Sequence, residues 1–232
     1  MDKLPVSLLV CGVGYLIGSF PTGYLLAKAR GVDIQSVGSR SIGATNVARN
    51  LGAVNGVIVL VVDALKGVVA ILVGLITSGS SLKLFFAGDA GVLLPGVFAG
   101  AAAVVGHNFP VWLKFHGGKG VATTAGIAFF LWPKISVFAF VIWIASFLFS
   151  QCVSVASITA AVSLPIWFFI WAGQSERGDW NALGFLLSQF IVTIFLALLI
   201  IFRHHENIRR LMAGTEPKFR FKGRAAAPKS KS

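Results

Sequence analysis

Residues 6–27, 54–76, 92–109, 153–171 and 182–202 are apolar almost throughout, and each is near the 17 to 25 residues that a helix needs to cross a bilayer. Hydrocarbon offers backbone amides no partner, so such runs must close their hydrogen bonds internally as helices. Only 12% of the residues are charged, about half the share of a soluble domain. An all-α, polytopic membrane helix bundle is expected. The net charge of +12 must then sit at the membrane surfaces, because charge inside hydrocarbon is costly; the bilayer, and not nucleic acid, explains it. Residues 6–27 lack a preceding basic region and end in Lys28 and Arg30, so they are expected to remain as a span and not to be removed as a signal peptide. Cys11 and Cys152 lie in or beside apolar runs, with no C-x-x-C pair and no histidine at ligand spacing. Disulfide and zinc frameworks are excluded, and neither metal nor cofactor is expected.

Residues 121–149 are too long for one ordinary span and are interrupted by Pro133 and Lys134. Charge decides between one kinked helix and two short ones. Beyond Phe202, nine Lys or Arg stand against Glu206 and Glu216, and residues 28–50 hold four against Asp33. Both segments belong in the cytoplasm by the positive-inside rule. They share a side only if an even number of spans separates them, so 121–149 counts as two. Seven transmembrane helices follow, with the N-terminus outside and the C-terminus cytoplasmic. The loops around Lys83 with Asp89 and around Glu176, Arg177 and Asp179 then lie outside, and Trp132, Trp171 and Trp180 mark outer helix ends. Gly14 with Gly18, and Gly96 with Gly100, read as close helix-packing pairs. A single domain is expected over residues 1–221, followed by a flexible basic tail at 222–232.

Three polar islands interrupt the apolar background, and this topology puts all of them on one side. The first, GSRSIGATNVARNLG at 38–52, joins Gly38, Gly43 and Gly52 to Ser39, Ser41, Thr45, Asn46, Arg40 and Arg49. Glycines let a backbone approach an anion, and Arg49 can hold a phosphate through a two-point fork. Ile42, Val47 and Leu51 are expected to seat the loop in the membrane interface. In the second island, VVGHNFPVWLKFHGGKGVATTAG at 104–126, HGGKG opens the fourth span, and Gly117, Gly118 and Gly120 around Lys119 should offer free N–H groups, a helix N-terminus and an ammonium at one point, which suits an anion. It lacks the spacing of a nucleotide-binding P-loop. In the third, at 203–219, Arg203, Arg209 and Arg210 read as positive-inside anchors, while His204, Glu206 and Asn207 are candidates for chemistry; His204, His205 and Glu206 lack metal-ligand spacing. Asp63 and Lys66, three residues apart within the second span, should form a buried structural pair.

No G-x-S-x-G elbow, no His-x4-Asp pattern and no cysteine in a polar setting is present, so the chain lacks a nucleophile–base pair. An enzyme of this kind would act on a substrate that arrives activated, by orientation and electrostatic stabilisation. A transporter of a phosphorylated solute would place its polar groups near the midplane, where only Asp63 and Lys66 lie.

Five blocks, GSFPTGYLLAK at 18–28, GSRSIGATNVARNLG at 38–52, DALKG at 63–67, GHNFPVWLKFHGGKGVAT at 106–123 and HHENIRRLMAGTEPKF at 204–219, strongly resemble the bacterial membrane acyl-phosphate:glycerol-3-phosphate acyltransferase family, the PlsY family. The resemblance implies transfer of a fatty acyl group from acyl phosphate to the sn-1 hydroxyl of glycerol 3-phosphate, giving lysophosphatidic acid and phosphate, the first acylation of phospholipid synthesis. It also implies the bacterial inner membrane, a cytoplasmic-side active site, no cofactor, and the soluble enzyme that makes acyl phosphate as a partner. Carried over residue by residue, Ser39 and Arg49 are catalytic, with Thr45 and Asn46 beside them at the substrate. Gly117, Gly118, Lys119 and Gly120 hold glycerol 3-phosphate, His204 and Asn207 serve activity, and Glu206 is structural. Two departures stand out: Arg40 and Ser41 replace a glycine and an asparagine, and His205 replaces an arginine. Arginine takes positive φ less readily than glycine, which bears on the loop's shape.

Overall fold

A computed structural model describes residues 3–79, 90–172 and 180–219. The loops around Lys83 and Glu176 and the tail at 222–232 fall outside these residues. Within them the chain is helical, with α1 at Lys3–Gly18, α2 at Thr22–Lys28, α3 at Ala44–Leu51, α4 at Ala53–Thr77 and α5 at Ala90–Asn108. A 3-10 turn at Val111–Leu113 leads to α6 at Val121–Leu131, α7 at Pro133–Ser150, α8 at Val153–Ala172, α9 at Trp180–Arg203 and α10 at His205–Met212. The expected all-α membrane bundle is what forms, with six described helices long and apolar enough to cross a bilayer.

Helix α5 is the central element. Its span is 61% buried, against 17% for α7, and it packs on α1, α4 and α9. Close approach explains the first contact: a methyl at Gly14 or Gly18 would collide with the backbone of Ala99 or Ala103. The expected small-residue packing is therefore realised. Ile71, Leu75, Val97, Val104, Ile127, Trp132, Leu164, Phe168 and Leu196 make the main core.

The first apolar run is broken into α1 and α2 at Ser19–Pro21, where Pro21 has no N–H to continue the ladder. The stretch at 121–149 splits as expected at Pro133, which takes the first position of α7. With 11 residues, α6 reaches about 16 Å, well short of a hydrocarbon core of about 30 Å. It nevertheless leaves the face that carries the polar islands, and α7 returns to it, since the carbonyl of Gln151, just past α7, accepts the N–H of Phe219 at 2.7 Å.

The apolar residues of the first island, expected to seat it in the membrane interface, pack on protein. Ile42 and Val47 are buried with Ala27, Ile34 and Val59, and Leu51 packs against them. The loop is thus seated on the bundle itself, because α3 packs along α4 and its apolar side finds protein before it finds lipid.

Candidate functional site

The three islands meet. Gln35 Nε2 donates to the His116 carbonyl at 2.9 Å, Arg49 Nη2 to the Pro217 carbonyl at 3.1 Å, and Lys119 Nζ to Asn207 Oδ1 at 2.5 Å. Each bond joins a different pair of segments, so stretches far apart in sequence form one polar surface at one end of the bundle.

The first loop is built around Asn46. Its Nδ2 donates to the carbonyls of Ile34, Val37 and Ser41 at 3.2, 3.1 and 2.9 Å, and its Oδ1 accepts from the Ser39 N–H at 3.0 Å and Asn50 Nδ2 at 3.1 Å. This engaged side chain, 2% exposed, shapes the loop. Ser39 is half-buried, Thr45 lies half-buried in the first turn of α3, and Arg49 is exposed in its last turn. Among the described residues no hydrogen bond or ion pair joins Ser39 or Thr45 to Lys119. The Arg40 departure is accommodated at a cost, since Arg40 has φ of 56° and a side chain there loses about 1 to 2 kcal/mol. Arg40→Gly is expected to raise the apparent Tm in detergent by about 2 °C; an unchanged or lower Tm would show that the loop is not strained at this residue.

The second loop corrects the expectation of free N–H groups. Gly117 N–H donates to the Asn108 carbonyl at 3.2 Å and Gly118 N–H to the His107 carbonyl at 3.0 Å, both at the end of α5. The glycines serve close approach instead: a methyl at Gly117 would overlap the His107 carbonyl, and one at Gly118 would overlap the His107 ring. The carbonyls of the same turn are gripped by Arg203, whose Nε reaches Gly118 O at 3.0 Å and Nη2 reaches Gly117 O at 3.3 Å, with the guanidinium 5.0 Å from the Phe109 ring centroid. Arg203 is thus a clamp on the turn as well as a basic anchor. Gly120 has φ of 79° and caps α6, so Lys119 directly precedes the helix start.

The third island supplies the hub, and it is not Glu206. The Glu206 side chain is 58% exposed and, among the described residues, meets His205 Nε2 alone, at 3.5 Å, so the structure gives it no buried partner. Glu216 is that hub. Its carboxylate, 4% exposed, accepts from Ser154 Oγ at 2.6 Å, Asn207 Nδ2 at 2.7 Å and Arg210 Nε at 2.7 Å. Burial pushes the Glu216 carboxyl up, but the hydrogen bonds from Ser154, Asn207 and Arg210 outweigh it and hold the group below the ordinary range. Asn207 is thereby oriented with its oxygen toward Lys119. Burial, together with the Arg210, Arg203 and Arg49 charges, lowers the Lys119 ammonium to about 8 against the pull of Glu216. His204 is buried with Nδ1 on the Ile200 carbonyl at 2.8 Å; burial first, then Lys119, pushes it down to about 4. It is neutral near pH 7, with Nδ1 as the donor and Nε2 left as an acceptor.

Asp63 and Lys66 pair as expected, at 2.9 Å, both buried. His107 and Asn108, buried beneath the HGGKG turn, were not singled out from the sequence; their signal was a polar His-Asn at the end of an otherwise apolar span.

Residues 8–214 match the model of a family described as glycerol-3-phosphate acyltransferase. A glycerol-3-phosphate acyltransferase of Aquifex aeolicus is 40% identical over 205 residues, covering 88% of this chain and 95% of that protein. One from Desulforudis audaxviator is 40% identical over 223 residues, covering 96% and 100%. Among solved structures, PlsY (YgiH), an integral membrane glycerol 3-phosphate acyltransferase, in its glycerol 3-phosphate form aligns with a TM-score of 0.76 at 38% identity, over 92% of this chain and 95% of that one. Its lysophosphatidic acid form aligns with a TM-score of 0.73 at 37% identity.

Proposed function

The chain belongs to the glycerol-3-phosphate acyltransferase family, and from that premise we propose that it transfers an acyl group from acyl phosphate to the sn-1 hydroxyl of glycerol 3-phosphate at the cytoplasmic face of a bacterial inner membrane. The observation that carries this reading is the meeting of Arg49, Lys119 and Asn207 through the bonds between islands, which gives two phosphate-bearing substrates a common basic surface beside apolar helices.

Lys119, with Gly120 at the start of α6, holds the phosphate of glycerol 3-phosphate. Arg49 takes the phosphate of the donor, where charge grows as the acyl carbon–oxygen bond breaks. The glycerol hydroxyl attacks the acyl carbonyl, inorganic phosphate departs, and a substrate phosphate accepts the hydroxyl proton, so no strong protein base is required. Asn207 orients Lys119, and neutral His204 adds an acceptor beside it. An apolar crevice of about 90 Å³, lined by Val121, Ala125, Ala139 and Leu164 among others, lies at the start of α6 and would take part of the acyl chain. The soluble enzyme that makes acyl phosphate would deliver the donor to this face.

Purified protein in detergent should convert glycerol 3-phosphate and acyl phosphate to lysophosphatidic acid and phosphate. Robust turnover with acyl-CoA, in preparations free of any acyl phosphate-forming enzyme, would overturn the donor. For sidedness, a cysteine placed at exposed Met212 in a Cys11- and Cys152-free background should react only with reagent inside the cell; labelling from outside would invert the topology.

The Lys119 assignment has a pH signature. A lysine lowered to about 8 is charged below that pH and loses its charge as pH rises through it. For the free enzyme, kcat/KM for glycerol 3-phosphate should therefore fall above about pH 8. Lys119→Ala should raise KM for that substrate while largely sparing kcat, as loss of binding shared by ground and transition states does, and should abolish the alkaline fall. Persistence of the fall in that variant would assign it to another group.

A further inference from the structure

Charges inside a membrane helix are costly and mark function more often than stability. Asp63 and Lys66 are 2% and 6% exposed in α4. What the pair touches gives it a use. Lys66 Nζ donates both to Asp63 Oδ1, at 2.9 Å, and to the Phe20 carbonyl, at 3.2 Å. That carbonyl is at the break between α1 and α2. On its other side, Asp63 Oδ1 lies 3.8 Å from His107 Nδ1, a buried atom with no hydrogen-bond partner among the described residues. The far edge of the same imidazole, at Nε2, lies directly under Gly118, where a methyl would overlap it.

The HGGKG turn is thus held on two sides. From below it rests on the His107 ring and hydrogen-bonds to the carbonyls of His107 and Asn108; from above Arg203 holds the carbonyls of Gly117 and Gly118. Lys119 follows immediately, so the height of the turn sets where its side chain starts. We propose that Asp63, Lys66 and His107 form a buried positioning unit that sets the height of the Gly117–Gly118 turn and so the position of Lys119, making His107 a positioning residue for the glycerol 3-phosphate half of the site. The inference rests on the reading of Lys119 as the ligand of that phosphate.

A packing contact that positions Lys119 predicts a selective defect. His107→Ala should raise KM for glycerol 3-phosphate about tenfold or more while leaving KM for acyl phosphate within about twofold, and weaken glycerol 3-phosphate binding measured by calorimetry to the same degree. His107→Gln, which keeps a polar atom at comparable reach, should recover part of the loss. Gly118→Ala should also weaken glycerol 3-phosphate binding, and because the added methyl strikes the His107 ring, Gly118→Ala in the His107→Ala background should cost little more than His107→Ala alone. Should His107→Ala fail to accumulate, the pair His107→Gln and Gly118→Ala carries the same test. An unchanged KM for glycerol 3-phosphate in the His107 variants, equal effects on both substrates, or additive losses in the double variant would overturn the proposal. Wild-type protein that binds no glycerol 3-phosphate would instead overturn the reading beneath it.

Discussion

Arg49→Ala is expected to lower kcat by roughly 10² to 10³ at saturating concentrations of both substrates, the size of loss found when one donor to a developing anion is removed. The residue is exposed in the last turn of α3, so its truncation leaves no cavity and no buried charge, and the protein should fold and insert normally. Among the described residues its guanidinium holds one carbonyl, that of Pro217 at 3.1 Å, a weak hold for a group with five donors. A lysine in its place would carry the charge but not the planar two-point fork, so Arg49→Lys should recover only part of the rate. The effect belongs in kcat because the charge Arg49 meets grows as phosphate leaves, whereas Lys119 is assigned to binding that ground state and transition state share. Near-wild-type kcat for Arg49→Ala, in protein shown to be intact, would remove Arg49 from the mechanism and leave the first island as a loop that merely packs on α4.

The bundle was legible in the sequence because the bilayer imposes a length and a composition on every crossing element, and both survive in the bare chain. The convergence of the islands was legible for a related reason: charge parity placed them on one side before any contact was known. What stayed hidden were choices made by long-range packing. Ile42 and Val47 are apolar whether they face lipid or α4, and only the closeness of α3 to α4 decides for protein. Gly117 and Gly118 look like free amides until the end of α5 is brought against them. Between two glutamates ten residues apart, helical position favoured neither. A local signal was present all the same. Gly214 with φ of 66° ends α10, and the Thr215 N–H bonds back to the Arg210 carbonyl at 2.8 Å, so the chain reverses there as at many glycine-terminated helices and Glu216 returns toward the bundle. Glu206, in the first turn of α10, has no such turn behind it.

Glu216→Ala should therefore be the most damaging single change at the site, and Glu206→Ala among the mildest. Removal of the Glu216 carboxylate strips Ser154 Oγ, Asn207 Nδ2 and Arg210 Nε of their shared acceptor, and leaving such part-buried donors unsatisfied costs about 1 to 3 kcal/mol. Asn207, no longer oriented, would present either end of its amide to Lys119, so activity should fall even in whatever fraction folds. Glu216→Gln tests charge apart from shape. Its amide would still offer one oxygen to Ser154 and Asn207 but would turn an NH2 toward Arg210, so recovery should be partial at best. The pH dependence has a fixed sign: because the folded-state value lies below the ordinary one, the carboxylate's contribution is present above the unfolded value and is lost as pH falls through the folded one. Apparent Tm in detergent should consequently drop on acidification in wild type more than in Glu216→Gln. For Glu206, with a side chain 58% exposed, the expected change is within about 0.5 kcal/mol. An apparent Tm that collapses for Glu206→Ala and holds for Glu216→Ala would reverse the assignment, and with it the account of how Asn207 is aimed at Lys119.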